Sequence, residues 1–179
     1  MAPTAAVTAT NSQQNDPLVI GGRSFSSRLM TGTGKYPSIQ AMQASLASSA
    51  CDIVTVAVRR VQSQASGHEG LMEAIDWQRI WMLPNTAGCF TADDAIRTLR
   101  LAREAGGWDL VKLEVLGEAR TLYPDMRETL KATEILVKEG FKPMVYCVDD
   151  PIAAKQLEEA GAVAIMPLGA PIGSGLGIQ

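Results

Sequence analysis

The sequence predicts an α/β fold with a parallel sheet, and three observations lead to this prediction. Short apolar runs typical of strands alternate with amphipathic segments typical of helices from Pro17 onward. Strand, helix and glycine recur at intervals of roughly 20 to 30 residues, which is typical of right-handed βαβ units. A lysine and a glutamate, Lys112 and Glu114, interrupt one of the strand-like runs. The first two observations predict the sheet, and the third helps to decide how it closes.

The first predicted element is a small hairpin formed by residues 18–25. Gly21 and Gly22 stand between its two short strands, where a two-residue turn requires positive φ that glycine adopts at no steric cost. Six strand-like segments follow in the chain. They are residues 29–34, 53–58, 81–84, 110–116, 143–148 and 162–167. The sequence therefore predicts about six β/α units after the hairpin.

Helix signals stand between these strands. Ser38 is placed to cap a helix that runs to about Ser48, and Thr91 with Asp94 resembles a capping box. The helix that Thr91 opens is predicted to run to Ala105 and to be ended by Gly106-Gly107, because glycine is favoured just beyond a helix. Two further helices are predicted over residues 126–139 and 151–160, and a glycine follows each of them.

The run 110–116 carries the strongest chemical signal. Alternation at period two sends Lys112 and Glu114 to one face of the strand, with Cα atoms roughly 6.6 Å apart. An apolar enclosure disfavours a charged amine, and a neutral amine can attack a carbonyl carbon. Glu114 is then suited to move protons during that attack. A structural ion pair, or a lysine whose ammonium reaches solvent at a strand end, explains the same pattern about as well.

The charged pair favours a barrel over an open sheet. Barrel strands carry polar side chains into the lumen near their carboxyl ends, where the active sites of this fold gather. A complete barrel has eight units and typically about 250 residues, whereas this sequence has 179 residues. The predicted fold is thus an incomplete (β/α)8 TIM barrel, with about six β/α units present and the last two absent, preceded by a short β-hairpin.

A glycine-rich segment, residues 167–177, follows the last predicted strand. Closely spaced glycines allow main-chain N–H groups to point at an anion such as phosphate, although an ordinary β-to-α loop has the same composition. The segment is not a dinucleotide fingerprint, because no helix-opening sequence follows it. Residues 32–35 are not a P-loop, because the spacing before Gly34-Lys35 is too short.

Composition excludes several classes of function. The 16 basic and 19 acidic residues give a net charge of −3, which does not indicate binding to nucleic acid or to an anionic membrane. No apolar run reaches the roughly 20 residues of a membrane span. Three scattered cysteines and a single histidine, His68, predict neither a zinc site nor a disulfide framework, and we therefore expect a reducing cytoplasmic location. Residues 1–16 are predicted to be a disordered tail, and residues 17–179 the barrel domain.

Several segments, in order along the chain, together resemble bacterial thiazole synthase of thiamine biosynthesis. They are residues 31–38 (TGTGKYPS), 57–60 (AVRR), 83–88 (LPNTAG), 111–115 (VKLEV), 165–167 (IMP) and 171–175 (PIGSG). The resemblance runs from about Pro17 to Gln179. Each segment alone is a weak signal, but their shared order makes the family assignment specific.

The resemblance implies a sulfur-transferring transferase with a (β/α)8 fold. Such an enzyme condenses 1-deoxy-D-xylulose 5-phosphate, a glycine-derived imine and sulfur from the C-terminal Gly-Gly thiocarboxylate of a sulfur-carrier protein into thiazole phosphate. Lys112 matches the family's Schiff-base lysine, and Glu114 matches an acid–base carboxylate. Gly173 matches a glycine that meets the sugar phosphate, and Asn85 and Thr86 are assigned to substrate binding and positioning. The resemblance implies no metal and no organic cofactor, and we expect a homo-oligomer.

This sequence departs from the family pattern at its carboxyl end. A second catalytic carboxylate in a Val-Asp-Ala-Gly-type segment and an Asn-Thr-type phosphate loop belong to the family's last two units, and the 179 residues end before both. We therefore expect a polypeptide of these residues alone to be inactive. Two alternatives stay open, namely a class I aldolase-like Schiff-base enzyme acting on a sugar phosphate and a non-catalytic β/α fragment.

Overall fold

The computed structural model describes residues 16–59 and 70–178. The predicted disordered tail, apart from Asp16, lies outside the described residues, and so does His68.

The described residues form eight strands and five helices. In chain order they are β1 (Leu18–Ile20), β2 (Arg23–Phe25), β3 (Met30–Gly32), α1 (Ile39–Ser49), β4 (Ile53–Ala57), α2 (Leu71–Ala74), β5 (Trp81–Asn85), α3 (Ala92–Gly106), β6 (Leu110–Leu113), α4 (Met126–Lys138), β7 (Lys142–Cys147), α5 (Pro151–Glu159) and β8 (Ala164–Pro167). The predicted hairpin is confirmed, since β1 pairs antiparallel with β2 across Gly21 and Gly22, which have φ of +56° and +83°.

Strands β3 to β8 form one parallel sheet in which each strand pairs with its neighbour in sequence. This order arises because every connection carries the chain on to the next strand in the same direction, as in a β/α barrel. The six predicted strands of the sheet and the α/β class are confirmed. The sheet with its outer helices matches the predicted incomplete TIM-barrel architecture, and the antiparallel hairpin forms a separate two-stranded sheet.

The core has an inner and an outer part, one on each face of the parallel sheet. The outer part packs alternate strand residues, such as Val54 and Val111, against the helices. The inner cluster contains Ile20 and Phe25 of the hairpin together with Ile53, Leu83, Leu110 and Met144. Since Ile53 and Leu110 are the first residues of β4 and β6, the hairpin covers the amino-terminal end of the inner face.

Two of the predicted caps are seen directly. The Ser38 hydroxyl accepts a hydrogen bond from the Ala41 N–H (3.1 Å), and the Thr91 hydroxyl accepts one from the Asp94 N–H (3.1 Å). The second half of the predicted capping box is not formed, because the Asp94 carboxylate instead accepts from the Arg97 guanidinium at 2.6 Å. The exposed ion pair between Asp94 and Arg97 thus takes the place of a hydrogen bond from the Thr91 N–H to the Asp94 carboxylate.

Several predicted bounds shift by one or two residues, as in β3 and β8, and two differences are larger. Strand β6 ends at Leu113 and not at Leu116, and Leu116 forms an isolated antiparallel bridge with Pro124. The strand ends early because the loop that follows turns back on it. The one-turn helix α2 was not predicted, since its N-cap residue Gly70 offers no side-chain hydrogen bond and four residues are too few to show periodicity.

Within residues 16–59 and 70–178, we find no helix with the length and hydrophobicity that crossing a membrane requires.

Candidate active site

The polar residues singled out in the sequence lie toward the carboxyl ends of neighbouring strands. Asn85 of β5 is the register partner of Lys112 in β6. Each lies two residues beyond a member of the inner cluster, Leu83 and Leu110 respectively, so period two places both on the inner face. Parallel strands end at the same edge of a sheet, which brings these two positions together at the mouth of the barrel.

Lys112 and Glu114 form a close ion pair. The Lys112 Nζ donates to the Glu114 Oε1 at 2.6 Å, and their side chains are only 19% and 11% exposed. The prediction that the two side chains share a face is therefore confirmed. Removing both charges from water costs free energy that their attraction only partly returns, so a pair at this depth is weak evidence for a purely stabilising role.

Thr86 fixes the main chain of Glu114. Its hydroxyl donates to the Glu114 carbonyl (2.7 Å) and accepts from the Glu114 N–H (2.7 Å), and the Thr86 side chain is fully buried. The Thr86 N–H also bonds to the Lys112 carbonyl at 3.3 Å. A side chain thus replaces main-chain pairing where β5 and β6 end. Because the hydroxyl already donates and accepts one hydrogen bond, this geometry favours a positioning role for Thr86.

Asn85 is 6% exposed, and its Oδ1 accepts a hydrogen bond from the Ala87 N–H at 3.0 Å. This short contact orients the side-chain amide at the end of β5. Its Nδ2 makes no hydrogen bond to the described residues, so a donor remains available beside Lys112.

Tyr146 is a member of this site that sequence reasoning missed. It lies two residues beyond Met144 of the inner cluster, and the Lys112 Nζ is 6.0 Å from the centre of its ring. Burial, and next the negative charge of Glu114, raise the pKa of the Tyr146 phenol, so the hydroxyl stays protonated. The spacing of two residues from Met144 could have predicted it. This spacing places Tyr146 of β7 on the inner face, which Lys112 of the neighbouring strand β6 also occupies.

The glycine-rich loop leaves the carboxyl end of β8, two strands along the sheet from β6. Gly173 has φ of +80° in a turn closed by a hydrogen bond from the Ser174 N–H to the Pro171 carbonyl (3.0 Å). Among the described residues no hydrogen bond joins this loop to Lys112 or Glu114. The structure therefore brings Asn85, Thr86, Lys112 and Glu114 together, and it places Gly173 at the same end of the sheet but apart from them.

Within residues 16–59 and 70–178, no group of three or more histidine, cysteine, aspartate or glutamate side chains is arranged to hold a metal ion. The chemistry that the site offers is that of an amine, a carboxylate and hydrogen-bond donors.

Comparison with known proteins shows what this chain is similar to. Residues 19–179 match the family described as "Thiazole biosynthesis protein ThiG". A thiazole synthase of Novosphingobium aromaticivorans is 70% identical over 165 residues, covering 92% of this chain, and one of Zymomonas mobilis is 66% identical with the same coverage. This chain spans 64% of the length of each of these two relatives.

Among solved structures, a chain of the Amycolatopsis orientalis BexX/CysO complex has a similar fold. Its TM-score is 0.79 at 27% identity, and the match covers 91% of this chain and 67% of that one. The family match extends over nearly all of the described residues and includes every site residue discussed above. We conclude that the chain belongs to the family of the thiazole biosynthesis protein ThiG.

Proposed function

We propose that the protein to which this chain belongs is a thiazole synthase that acts through a Schiff base on Lys112. The substrates would be 1-deoxy-D-xylulose 5-phosphate, a glycine-derived imine and carrier-bound sulfur, and the product thiazole phosphate for thiamine biosynthesis. One observation carries the proposal, namely the shielded Lys112–Glu114 pair on the inner face at the carboxyl end of β6. The names of the curated relatives support it.

The pair has the groups that the first covalent step requires. The Lys112 amine must lose a proton before its lone pair can bond to the ketone carbon, and the Glu114 carboxylate at 2.6 Å is the acceptor in place. As the C–N bond forms, the carbonyl π electrons move to oxygen, and the oxygen takes up the proton that the newly bonded, cationic nitrogen releases, which gives a carbinolamine. Protonation of that hydroxyl by Glu114 and loss of water then leave the iminium. One carboxylate thus serves as base and then as acid.

The neighbouring residues fit supporting roles. Thr86 holds the main chain of Glu114 and so keeps the carboxylate beside the amine. Asn85 offers its unoccupied Nδ2 to an oxygen of the substrate. We assign the sugar phosphate to the loop around Gly173, where positive φ at successive glycines lets main-chain N–H groups turn toward an anion.

The proposed partner is a sulfur-carrier protein with a C-terminal Gly-Gly thiocarboxylate. The Amycolatopsis orientalis chain of similar fold belongs to a complex of two proteins, BexX and CysO, which supports a protein partner at this fold. We further propose a homo-oligomer that works in the cytoplasm without a metal or organic cofactor. This chain spans 64% of its relatives' length, and we therefore assign the activity to a protein of their full length. We expect a polypeptide of these 179 residues alone to be catalytically inactive.

Trapping of the covalent intermediate tests the proposal. The full-length protein is incubated with 1-deoxy-D-xylulose 5-phosphate and reduced with borohydride, and the modified peptide is located by mass spectrometry. We expect one adduct, on Lys112, which Lys112→Ala abolishes. Lys142→Arg is the matched control, because Lys142 carries a primary amine near the inner face but is paired with Asp109 toward the amino-terminal end of the sheet.

An absent adduct, or one that Lys112→Ala leaves unchanged, would contradict the Schiff-base mechanism and favour the non-catalytic alternative. Binding of a Gly-Gly-ended carrier protein then separates the synthase from a class I aldolase-like enzyme, because an aldolase requires no such partner.

A further inference from the structure

The loop between β6 and α4, residues 114–125, folds back as a compact unit at the carboxyl end of β6. The Gly117 N–H donates to the Tyr123 carbonyl (2.8 Å), and the Asp125 N–H donates to the Val115 carbonyl (2.8 Å). This loop begins with Glu114 itself, so its conformation bears directly on the position of the carboxylate. We call it the β6–α4 loop.

One residue of the β6–α4 loop has an unfavourable backbone conformation. Leu122 has φ of +58°, in the left-handed region where its Cβ crowds the main chain. Such a conformation persists only where surrounding contacts hold it. One contact is local, since the Leu122 N–H donates to the Glu118 carbonyl at 3.0 Å. The other comes from a different strand: the Tyr146 hydroxyl of β7 donates to the Leu122 carbonyl at 3.2 Å.

Tyr146 therefore contacts the loop and lies near the charged pair. Its ring lies 6.0 Å from the Lys112 Nζ, and the residue is 7% exposed. The only polar atom of its side chain is the hydroxyl that reaches Leu122. Its protonated state, which burial and the Glu114 charge favour by raising its pKa, keeps it a hydrogen-bond donor.

We propose that Tyr146 is a positioning residue, whose hydroxyl holds the β6–α4 loop against the carboxyl end of the sheet and so shapes access to Lys112 and Glu114. The part of this inference that concerns the loop stands on the contacts alone. The part that concerns access rests on the proposed Schiff-base function.

Tyr146→Phe tests the loop contact because it removes the hydroxyl and keeps the ring. The side chain of Arg120 in this loop is 92% exposed, so trypsin cleavage after Arg120 reports how often the loop opens. In the full-length protein we expect cleavage there to accelerate about five- to tenfold, as for loss of one hydrogen bond that maintains a local structure. Amide exchange of peptide 116–126 should accelerate in parallel, with the thermal midpoint nearly unchanged.

Tyr123→Phe is the matched control. Tyr123 lies in the same loop and is 42% exposed. It contributes to the closed loop through its main-chain carbonyl, which Tyr123→Phe leaves unchanged. This variant should match the wild type in both measurements. If Tyr146→Phe also matches the wild type in cleavage and in exchange, the positioning role is overturned.

The catalytic consequence is measured by the rate of borohydride-trapped adduct formation at increasing sugar phosphate concentration. With the loop loosened, Tyr146→Phe should raise the half-saturating concentration several-fold while changing the saturating rate less than twofold. An unchanged concentration dependence in a variant with a loosened loop would refute the role in access. Absence of any adduct in the wild type would refute the proposed function and leave the cleavage result standing.

Discussion

At the scale of single residues, Thr86 performs a task that the main chain performs elsewhere in the sheet. Its hydroxyl both donates to and accepts from the main chain of Glu114, at 2.7 Å each. Both groups of Glu114 are thereby satisfied at a point where β6 has already ended. A buried main-chain group without a hydrogen-bond partner destabilises the fold. The hydroxyl of Thr86 therefore stabilises the main chain that carries the Glu114 carboxylate.

Thr86→Val should therefore destabilise the protein by about 2–4 kcal/mol, because it leaves one buried N–H and one buried carbonyl unpaired while keeping the side-chain volume. Urea unfolding followed by circular dichroism measures the loss. Thr86→Ser is the control and should retain most of the stability, since its hydroxyl can make both bonds. Equal stability of the Val and Ser variants would show that the hydroxyl is not needed.

At the scale of elements, helix α3 shows how a local signal ends a helix. Gly107 follows its last residue with φ of +74°, and its N–H donates to the Arg103 carbonyl at 2.8 Å. Apart from its two chain neighbours, no described residue has an atom within 4 Å of the place where a Cβ at Gly107 would stand. Glycine is therefore favoured at this position by the positive φ, and not by a lack of space for a side chain.

Gly107→Ala should cost about 1 kcal/mol, the strain of a left-handed alanine. We expect a lower urea midpoint with an unchanged slope of free energy against urea concentration. Gly107→Asn, which tolerates this conformation better, should lose about half as much. An alanine variant as stable as the wild type would mean that the helix can end differently.

At the scale of the whole molecule, Asp109 joins three elements at the amino-terminal end of the sheet. Its carboxylate lies 3.8 Å from the Arg23 guanidinium of the hairpin and 3.2 Å from the Lys142 Nζ of β7, and it accepts from the Leu110 N–H of β6 at 2.8 Å. Burial alone would raise the pKa of Asp109, but the hydrogen bonds from Lys142 and Leu110, with the charge of Lys142, lower it overall.

Asp109→Asn should therefore destabilise the protein in a pH-dependent way. A carboxyl whose pKa is lower in the folded state stabilises the fold above its unfolded pKa, near 4, and loses that contribution as the pH falls through the folded value. We expect a difference in urea midpoint between wild type and variant that is largest at pH 7 and shrinks below pH 4. Asp93→Asn serves as the control, because Asp93 forms an exposed ion pair with Lys131. A difference independent of pH would exclude the charge of Asp109 as its cause.

Most of the fold could be predicted because its signals are local. Period two in the strands, Gly21-Gly22 in the hairpin, and Ser38 and Thr91 as caps all act between residues close in sequence. They gave six parallel strands and the face shared by Lys112 and Glu114. The assigned roles of Asn85, Gly173, Lys112 and Glu114 stay predictions, and the borohydride-trapping experiment tests the role of Lys112.

What the sequence alone determined is therefore the order of elements, the family and the charged pair at the mouth of the barrel. The tertiary structure decided how that pair is supported. Thr86 reaches Glu114 across 28 positions, and Tyr146 reaches Leu122 across 24. Contacts at such separations depend on which strands become neighbours and on where each strand ends, and neither is written in the pattern of any one segment.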